Sequence, residues 1–111
     1  MSLEEILIDC VQKVNGNNIL VYDMEGRNPF YDKMILASVS SLRQADAIIS
    51  YIEDGIKDTE YKIRHVEGQG SPWVLVDLNS IILSIFTNEE REHFQVEKVY
   101  MDYKSRKIED K

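Results

Sequence analysis

Three aspartates at the ends of predicted strands are the first candidates for chemistry. Asp23 and Asp77 each follow a short apolar segment, and Asp32 precedes another. Carboxylates in such positions can bind Mg²⁺, which takes oxygen ligands from one or two carboxylates together with substrate phosphates. The alternative, which we favour, is that they are solvated turn residues whose side chains accept hydrogen bonds from nearby backbone amides.

The serine-rich segment 38–41 (SVSS) is a second candidate, because it precedes a predicted helix. Free amides and the helix dipole can bind a phosphate at a helix N-terminus. The segment contains no glycine, however, and serine is an ordinary N-cap residue, so we predict capping instead. With the aspartates, the segment still defines an alternative hypothesis: a nucleotidyltransferase-like, nucleotide-binding enzyme that uses Mg²⁺. The scarcity of lysine and arginine near the segment argues against it.

The cysteine and the two histidines indicate no site. Cys10 lies on the apolar stripe of a predicted helix, where a free cysteine commonly packs as a small hydrophobic residue, and a nucleophile is the minority interpretation. His65 and His93 have no cysteine or second histidine at metal-ligand spacing. The sequence therefore predicts no metal site, no cofactor and no catalytic residue.

Length and charge narrow the class of protein further. The chain has 111 residues, enough for one domain with an ordinary core. Its net charge of -7 and pI near 4.8 oppose direct binding to nucleic acid and favour a basic protein partner. A single cysteine, no signal-like N-terminus and no apolar run of about 20 residues predict a cytoplasmic protein without a membrane span.

The apolar periodicity predicts a single α/β (α+β) domain with the element order αββαβββα. Helices are expected after Ser2, after segment 38–41 and after Thr87, at capping patterns. Segments 73–76 and 81–86 are almost continuously apolar, which predicts a hairpin of two central strands.

The predicted sheet is mixed and five-stranded, with helices on its faces. Strands two and three flank a helix, so we expect them to pair through a right-handed crossover. We predict a domain over residues 1–103 and a charged, frayed tail over residues 104–111, which has one apolar residue.

Six segments together resemble the ribosomal silencing factor family, also called RsfS or Iojap-like. They keep the order and spacing of that family over about three-quarters of the chain. The segments are 19–24 (ILVYDM), 32–37 (DKMILA), 40–44 (SSLRQ), 66–68 (VEG), 73–78 (WVLVDL) and 94–100 (FQVEKVY). No single segment is specific to the family, but the six segments in this order and spacing are.

The resemblance implies a nucleotidyltransferase-like fold in a binding protein that is not an enzyme. Such a protein would dock on large-subunit ribosomal protein number fourteen and block joining of the small subunit, lowering translation when nutrients run short. Organellar relatives are linked to large-subunit assembly. The partner-contact region of the family maps onto five residues of this chain: Trp73, Asp77, Leu78, Phe94 and Glu97.

The sequence departs from the family pattern at a few positions. Val39 replaces a glycine before the second helix, which disfavours positive φ and close approach of the backbone to a phosphate. Ser84 replaces a histidine in the last predicted strand, and Phe94 with Val96 replaces an aromatic–leucine pair. If Ser84 faces the partner, the affinity or specificity of binding changes; if it faces the core, its hydroxyl needs a hydrogen bond.

We hypothesise that Trp73, Leu78 and Phe94 are apolar anchors of the protein contact, because such residues often dominate binding energy. Burial of Trp73 and Phe94 in the core is an equally good interpretation. The acidic side chains Glu89, Glu90, Glu92 and Glu97 would complement a basic ribosomal protein and repel small-subunit RNA. A homodimer through an apolar sheet edge is a third alternative.

Overall fold

The computed structural model describes residues 1–109, which contain three α-helices and six strands. In chain order they are α1 (Leu3–Lys13), β1 (Asn17–Asp23), β2 (Lys33–Val39), α2 (Leu42–Ile56), β3 (His65–Glu67), β4 (Trp73–Asp77), β5 (Ile81–Thr87), α3 (Asn88–Phe94) and β6 (Lys104–Lys107). One 3₁₀ turn, η1 (Val96–Lys98), follows α3. The predicted order of the first eight elements is confirmed.

One mixed sheet connects all six strands, in the order β3-β4-β5-β2-β1-β6. Its centre is the parallel pair β2–β5, and all the other pairs are antiparallel. The predicted hairpin is confirmed as β4–β5. The predicted pairing of strands two and three is wrong: β2 pairs with β5, while the three-residue β3 lies at the outer edge. A central strand is buried on both faces and therefore needs apolar residues on both. The seven-residue β5 has them, whereas the short β3 has no buried residue.

The sixth strand corrects the predicted five-stranded sheet. Residues 104–107, expected to belong to a frayed tail, pair with β1 from Asp23↔Lys104 to Leu20↔Lys107. All four side chains of β6 are exposed. An edge strand of this kind is held by backbone hydrogen bonds, which a search for apolar residues does not detect. Residues 110 and 111 of the predicted tail lie outside the described residues.

The two longer helices begin at the capping residues that the sequence indicates. The Ser2 hydroxyl accepts a hydrogen bond from the amide of Glu5, whose carboxylate accepts one from the amide of Ser2. Ser41 and Gln44 form the same reciprocal pair at the start of α2. Such pairs satisfy amides that have no partner within the helix and so fix the first residue of each helix.

Helices α1 and α2 bury one face of the sheet, and the main core lies between these two helices and the sheet. Cys10 is buried in this core, as predicted, and burial raises the pKa of its thiol. A smaller cluster lies on the opposite face, formed by Tyr22, Met24, Met34, Leu36 and Phe86. There α3 and η1 cover only part of the sheet, because half-buried Leu75 and Ile82 line a hollow on it. None of the helices in residues 1–109 is long and apolar enough to cross a membrane.

We predict that Gly68→Ala destabilises the protein more than Gly70→Ala. Both glycines have positive φ, +78° and +88°, so alanine is strained at either position. A Cβ at residue 68 would lie 2.3 Å from the carbonyl oxygen of Trp73, whereas a Cβ at residue 70 meets open space. We expect an additional loss of about 1–3 kcal/mol at residue 68, measured by urea unfolding. Equal losses for the two variants would contradict the close approach to Trp73.

Candidate functional site

Three aromatic rings cluster where β4 begins and α3 ends. Trp73 stacks on Phe86 with ring centroids 4.9 Å apart, and Phe94 lies 5.6 Å from Trp73. Phe86 is fully buried, whereas Trp73 is 39% and Phe94 50% exposed. The buried ring therefore supports two partly exposed rings, which gives a firm apolar surface rather than mobile side chains.

Strand register and a helix cap bring these rings together. Trp73 is paired with Phe86 across the β4–β5 hairpin, and the amide of Thr87 donates to the carbonyl of Pro72 at 2.9 Å. The Thr87 hydroxyl then accepts a hydrogen bond from the amide of Glu90, so α3 begins directly after β5. Its seven residues return the chain past Trp73 and place Phe94 beside it.

Tyr100 extends this surface past η1. Its ring lies 5.6 Å from that of Tyr22, which belongs to the smaller core cluster. Trp73, Leu75, Ile82, Val96 and Tyr100 all line one hollow on the sheet. We call these five residues, together with Phe94, the aromatic face.

Arg91 attaches α3 and η1 to the sheet. Its buried guanidinium donates to the Glu97 carboxylate at 2.7 Å, to the Ser38 hydroxyl at 2.9 Å and to the carbonyl oxygen of Asn18. Burial acts to raise the pKa of Glu97, but the hydrogen bond from Arg91, a hydrogen bond from the backbone amide of Glu97 and the charge of Arg91 outweigh it, and the pKa is lowered. The carboxylate of Glu97, a predicted partner contact, is thus paired within the chain. Sequence reasoning missed Arg91, because a spacing of six residues across a helix end matches no regular periodicity.

Asp77 and Leu78 lie at the other end of β4. Four residue steps of extended strand place Asp77 about 13 Å from Trp73. Leu78 is only 3% exposed and belongs to the main core, so the hypothesis that it is an exposed anchor is wrong. The tight turn at Asn79 and Ser80, closed by a hydrogen bond from the Leu78 amide to the Ile81 carbonyl, keeps Leu78 in this core. The five predicted contact residues therefore do not form one surface.

The Asp77 carboxylate is satisfied within the chain. It accepts hydrogen bonds from the Arg64 guanidinium and the Tyr31 hydroxyl, each at 2.9 Å, and from the amide of Asn79 at 2.8 Å. Burial acts to raise the pKa of Asp77, but these hydrogen bonds together lower it. The Asp77 oxygens are thus occupied by donors, which leaves a poor ligand for a metal ion or a partner.

The two halves of the hypothetical enzyme site lie at opposite ends of the sheet. Asp23 pairs with Lys33 at the start of β2, and exposed Asp32 directly precedes that strand. The serine segment lies at the far end of β2, about 20 Å away. Among residues 1–109 no group of three or more histidine, cysteine, aspartate or glutamate side chains is placed to hold a metal ion.

The backbone of the serine segment is occupied by the helix cap. The amides of Ser40 and Ser41 both donate to the Gln44 side-chain oxygen, at 2.6 and 3.0 Å, which confirms the prediction of capping. The Ser38 hydroxyl accepts from Arg91, and the Val39 side chain is buried in the main core. The amides of Ser40, Ser41 and Gln44, which could contribute to a phosphate site at this position, are therefore already hydrogen-bonded.

Comparison with known proteins identifies the family. The family described as "Ribosomal silencing factor during starvation" matches residues 2–111. The chain belongs to the ribosomal silencing factor family. It is 31% identical over 102 residues to the Bacillus subtilis ribosomal silencing factor RsfS, covering 91% of this chain and 86% of that protein. The Haemophilus influenzae RsfS is 29% identical over 101 residues, covering 90% and 99% of the two chains.

More distant relatives of this RsfS-family chain extend the comparison. A mouse protein named "Mitochondrial assembly of ribosomal large subunit protein 1" is 22% identical over 100 residues, covering 86% of this chain and 44% of the mouse protein. A crystal structure from Chromobacterium violaceum has a TM-score of 0.81 at 22% identity, covering 89% and 83% of the two chains. One from Bacillus halodurans has a TM-score of 0.78 at 21% identity, with 96% of each chain covered. These likenesses support the fold, while the nucleotidyltransferase-like description stays a prediction.

We predict that Asp77→Asn destabilises the protein by about 1–3 kcal/mol at neutral pH, because it weakens charge-assisted hydrogen bonds from Arg64 and Tyr31. The pKa of Asp77 is lower in the folded protein than its ordinary value of 3.8, so its ionised form stabilises the fold at neutral pH. That contribution is lost as pH falls through the folded-state pKa. The difference between wild type and variant, measured by urea unfolding, should therefore shrink as pH falls below the ordinary pKa of 3.8. A constant difference would show that the charge of Asp77 does not matter.

Proposed function

We propose that this protein binds the large ribosomal subunit through large-subunit ribosomal protein number fourteen and prevents the small subunit from joining. Membership of the ribosomal silencing factor family supports a role in repressing translation at the ribosome. The mouse relative is named for assembly of the large subunit, which supports that subunit as the docking partner. In this proposal the protein acts by occupying a surface, and no residue performs catalysis.

The observation that carries the proposal is the partial exposure of two large rings over a buried one. Trp73 and Phe94 leave apolar area in water while Phe86 holds Trp73 in a stacked position. Tryptophan is enriched among residues that dominate binding energy, and rigid side chains lose little entropy on binding. We therefore assign the protein contact to the aromatic face. Asp77 and Leu78, which the family resemblance implied, are outside this contact because they are committed to the turn and the core.

The acidic side chains of α3 border the aromatic face. Glu89 and Glu92 are exposed, and Glu90 is half-buried, on the helix that ends at Phe94. They would attract lysine and arginine side chains of a ribosomal protein and repel the RNA of an approaching small subunit. The same charges would keep the free protein from binding RNA indiscriminately.

The structure disfavours a homodimer that pairs sheet edges. The outer strand β6 has the sequence KSRK, so pairing with a second copy would bring basic side chains close together. The opposite edge, β3, has three residues and offers few backbone hydrogen bonds. If the free protein is a dimer, we propose that it associates through the aromatic face and must dissociate before docking.

The test is co-sedimentation of the purified protein with separated ribosomal subunits, followed by addition of the missing subunit and Mg²⁺. We expect binding to the large subunit alone and fewer joined ribosomes in proportion to bound protein. Large subunits reconstituted without ribosomal protein number fourteen should not bind. Binding to neither subunit, or equally to both, would overturn the proposal.

We predict that Trp73→Ala weakens large-subunit binding by about 30-fold or more, because it removes a central aromatic anchor. Loss of stacking on Phe86 and of the buried part of the indole should cost about 2–4 kcal/mol of stability, less than the stability of a typical domain, and leave the protein folded. The matched control is Tyr51→Ala, which removes a ring that is 42% exposed on α2, outside the aromatic face. Melting temperature and co-sedimentation are measured on both variants. Equal binding by Trp73→Ala and Tyr51→Ala would exclude Trp73 from the contact.

A further inference from the structure

A cavity of about 130 Å³ opens between the residues of the aromatic face. Trp73, Leu75 and Tyr100 line it, and Met34 and Ser84 are the buried residues of its central strands. An apolar cavity of about 150 Å³ in another protein accepts a molecule the size of benzene. The cavity on this face therefore has room for one side chain of medium size.

Ser84 keeps this cavity open. It is a buried polar residue in the middle of β5, between Leu83 and Ile85, where leucine and isoleucine residues otherwise predominate. Its hydroxyl contacts the sulfur of Met34 at 4.0 Å, and a thioether is a weak hydrogen-bond acceptor. The short side chain leaves a space that a larger residue would fill.

Two of the polar side chains that line the cavity have partners within the chain. The side-chain oxygen of Asn28 accepts hydrogen bonds from the amides of Phe30 and Tyr31, at 2.8 and 3.0 Å. The Tyr31 hydroxyl donates to Asp77. Most of the residues that line the cavity are nevertheless apolar or aromatic, so an apolar group suits this space better than a charged one.

We propose that the cavity receives one aliphatic side chain, such as leucine or methionine, from the ribosomal protein that binds the aromatic face. This inference rests on the proposed function. None of the described residues that line the cavity is charged, so a buried lysine or glutamate would have no ion partner there. The volume fits a single side chain, and the rings of Trp73 and Tyr100 continue the apolar wall out to the surface. Ser84 is thus a specificity-determining residue: its size sets what the partner inserts.

The test compares substitutions of Ser84 by size. Ser84→Leu fills the cavity, Ser84→Val fills it in part, and Ser84→Ala removes the hydroxyl but keeps the space. We expect Ser84→Leu to weaken large-subunit binding by about tenfold or more, Ser84→Val by less, and Ser84→Ala by no more than about twofold. Melting temperature is measured for each variant, and Ser84→Val serves as the filled variant if Ser84→Leu does not fold.

The outcomes separate this inference from the proposed function. Wild-type protein that does not bind the large subunit overturns the proposed function itself. Wild-type binding that Ser84→Leu and Ser84→Val retain in full overturns only the cavity inference. An equal loss in Ser84→Ala also overturns it, because the hydroxyl and not the volume would then matter. If Ser84→Leu converts a dimer to a monomer without affecting ribosome binding, a second copy of the chain is the occupant, and the inference is wrong.

A second measurement tests the cavity directly in the free protein. Trp73 is the single tryptophan of the chain and lines the cavity, so its fluorescence reports occupancy. Xenon binds apolar cavities of this size and quenches a neighbouring indole. We expect saturable quenching in wild type and Ser84→Ala and only collisional quenching in Ser84→Val. Equal quenching in all three would show that no accessible space lies beside Trp73.

Discussion

The parallel pairing of β2 with β5 is the constraint on which the rest of the fold depends. Parallel neighbours cannot be joined by a tight turn, so the chain between them must cross over the sheet. This crossover contains α2, β3 and β4, and α2 joins α1 over one face. Covering the other face is left to the short segment after β5. That segment covers only part of it, and the aromatic face is what remains open.

The parts of this fold that the sequence predicts are those set by residues close together in the chain. Helix caps at Ser2 and Ser41 and the β4–β5 hairpin involve residues a few positions apart, so spacing and residue type determine them. The partner of β2 is different, because nothing near Lys33–Val39 specifies a strand more than 40 residues later. The edge strand β6 is not predictable from apolar residues for a related reason: backbone hydrogen bonds to β1 and an ion pair between Arg106 and Glu4 hold it, while its side chains are exposed.

The candidate site shows the same division between local and distant information. Trp73 and Phe94 are strongly apolar, but apolarity alone does not distinguish a core residue from a surface anchor. Their partial exposure follows from stacking on Phe86, which depends on strand register and on the return of α3. Asp77 and Leu78 are close to Trp73 in sequence, yet a strand extends by about 3.3 Å per residue and separates them. Nearness in the chain is therefore a poor guide to a shared surface in a β-sheet.

Arg91 explains how a weak helix can present an aromatic ring to solvent. Seven residues are too few for a stable isolated helix, and Arg91 is the one buried residue of α3. Burying a guanidinium is costly unless it is paired and hydrogen-bonded, and here a carboxylate, a hydroxyl and a backbone carbonyl accept from it. A long apolar stripe would have fixed the same helix by burying its aromatic residue. Anchoring through one paired charge leaves Phe94 and the acidic side chains at the surface, where a protein partner can reach them.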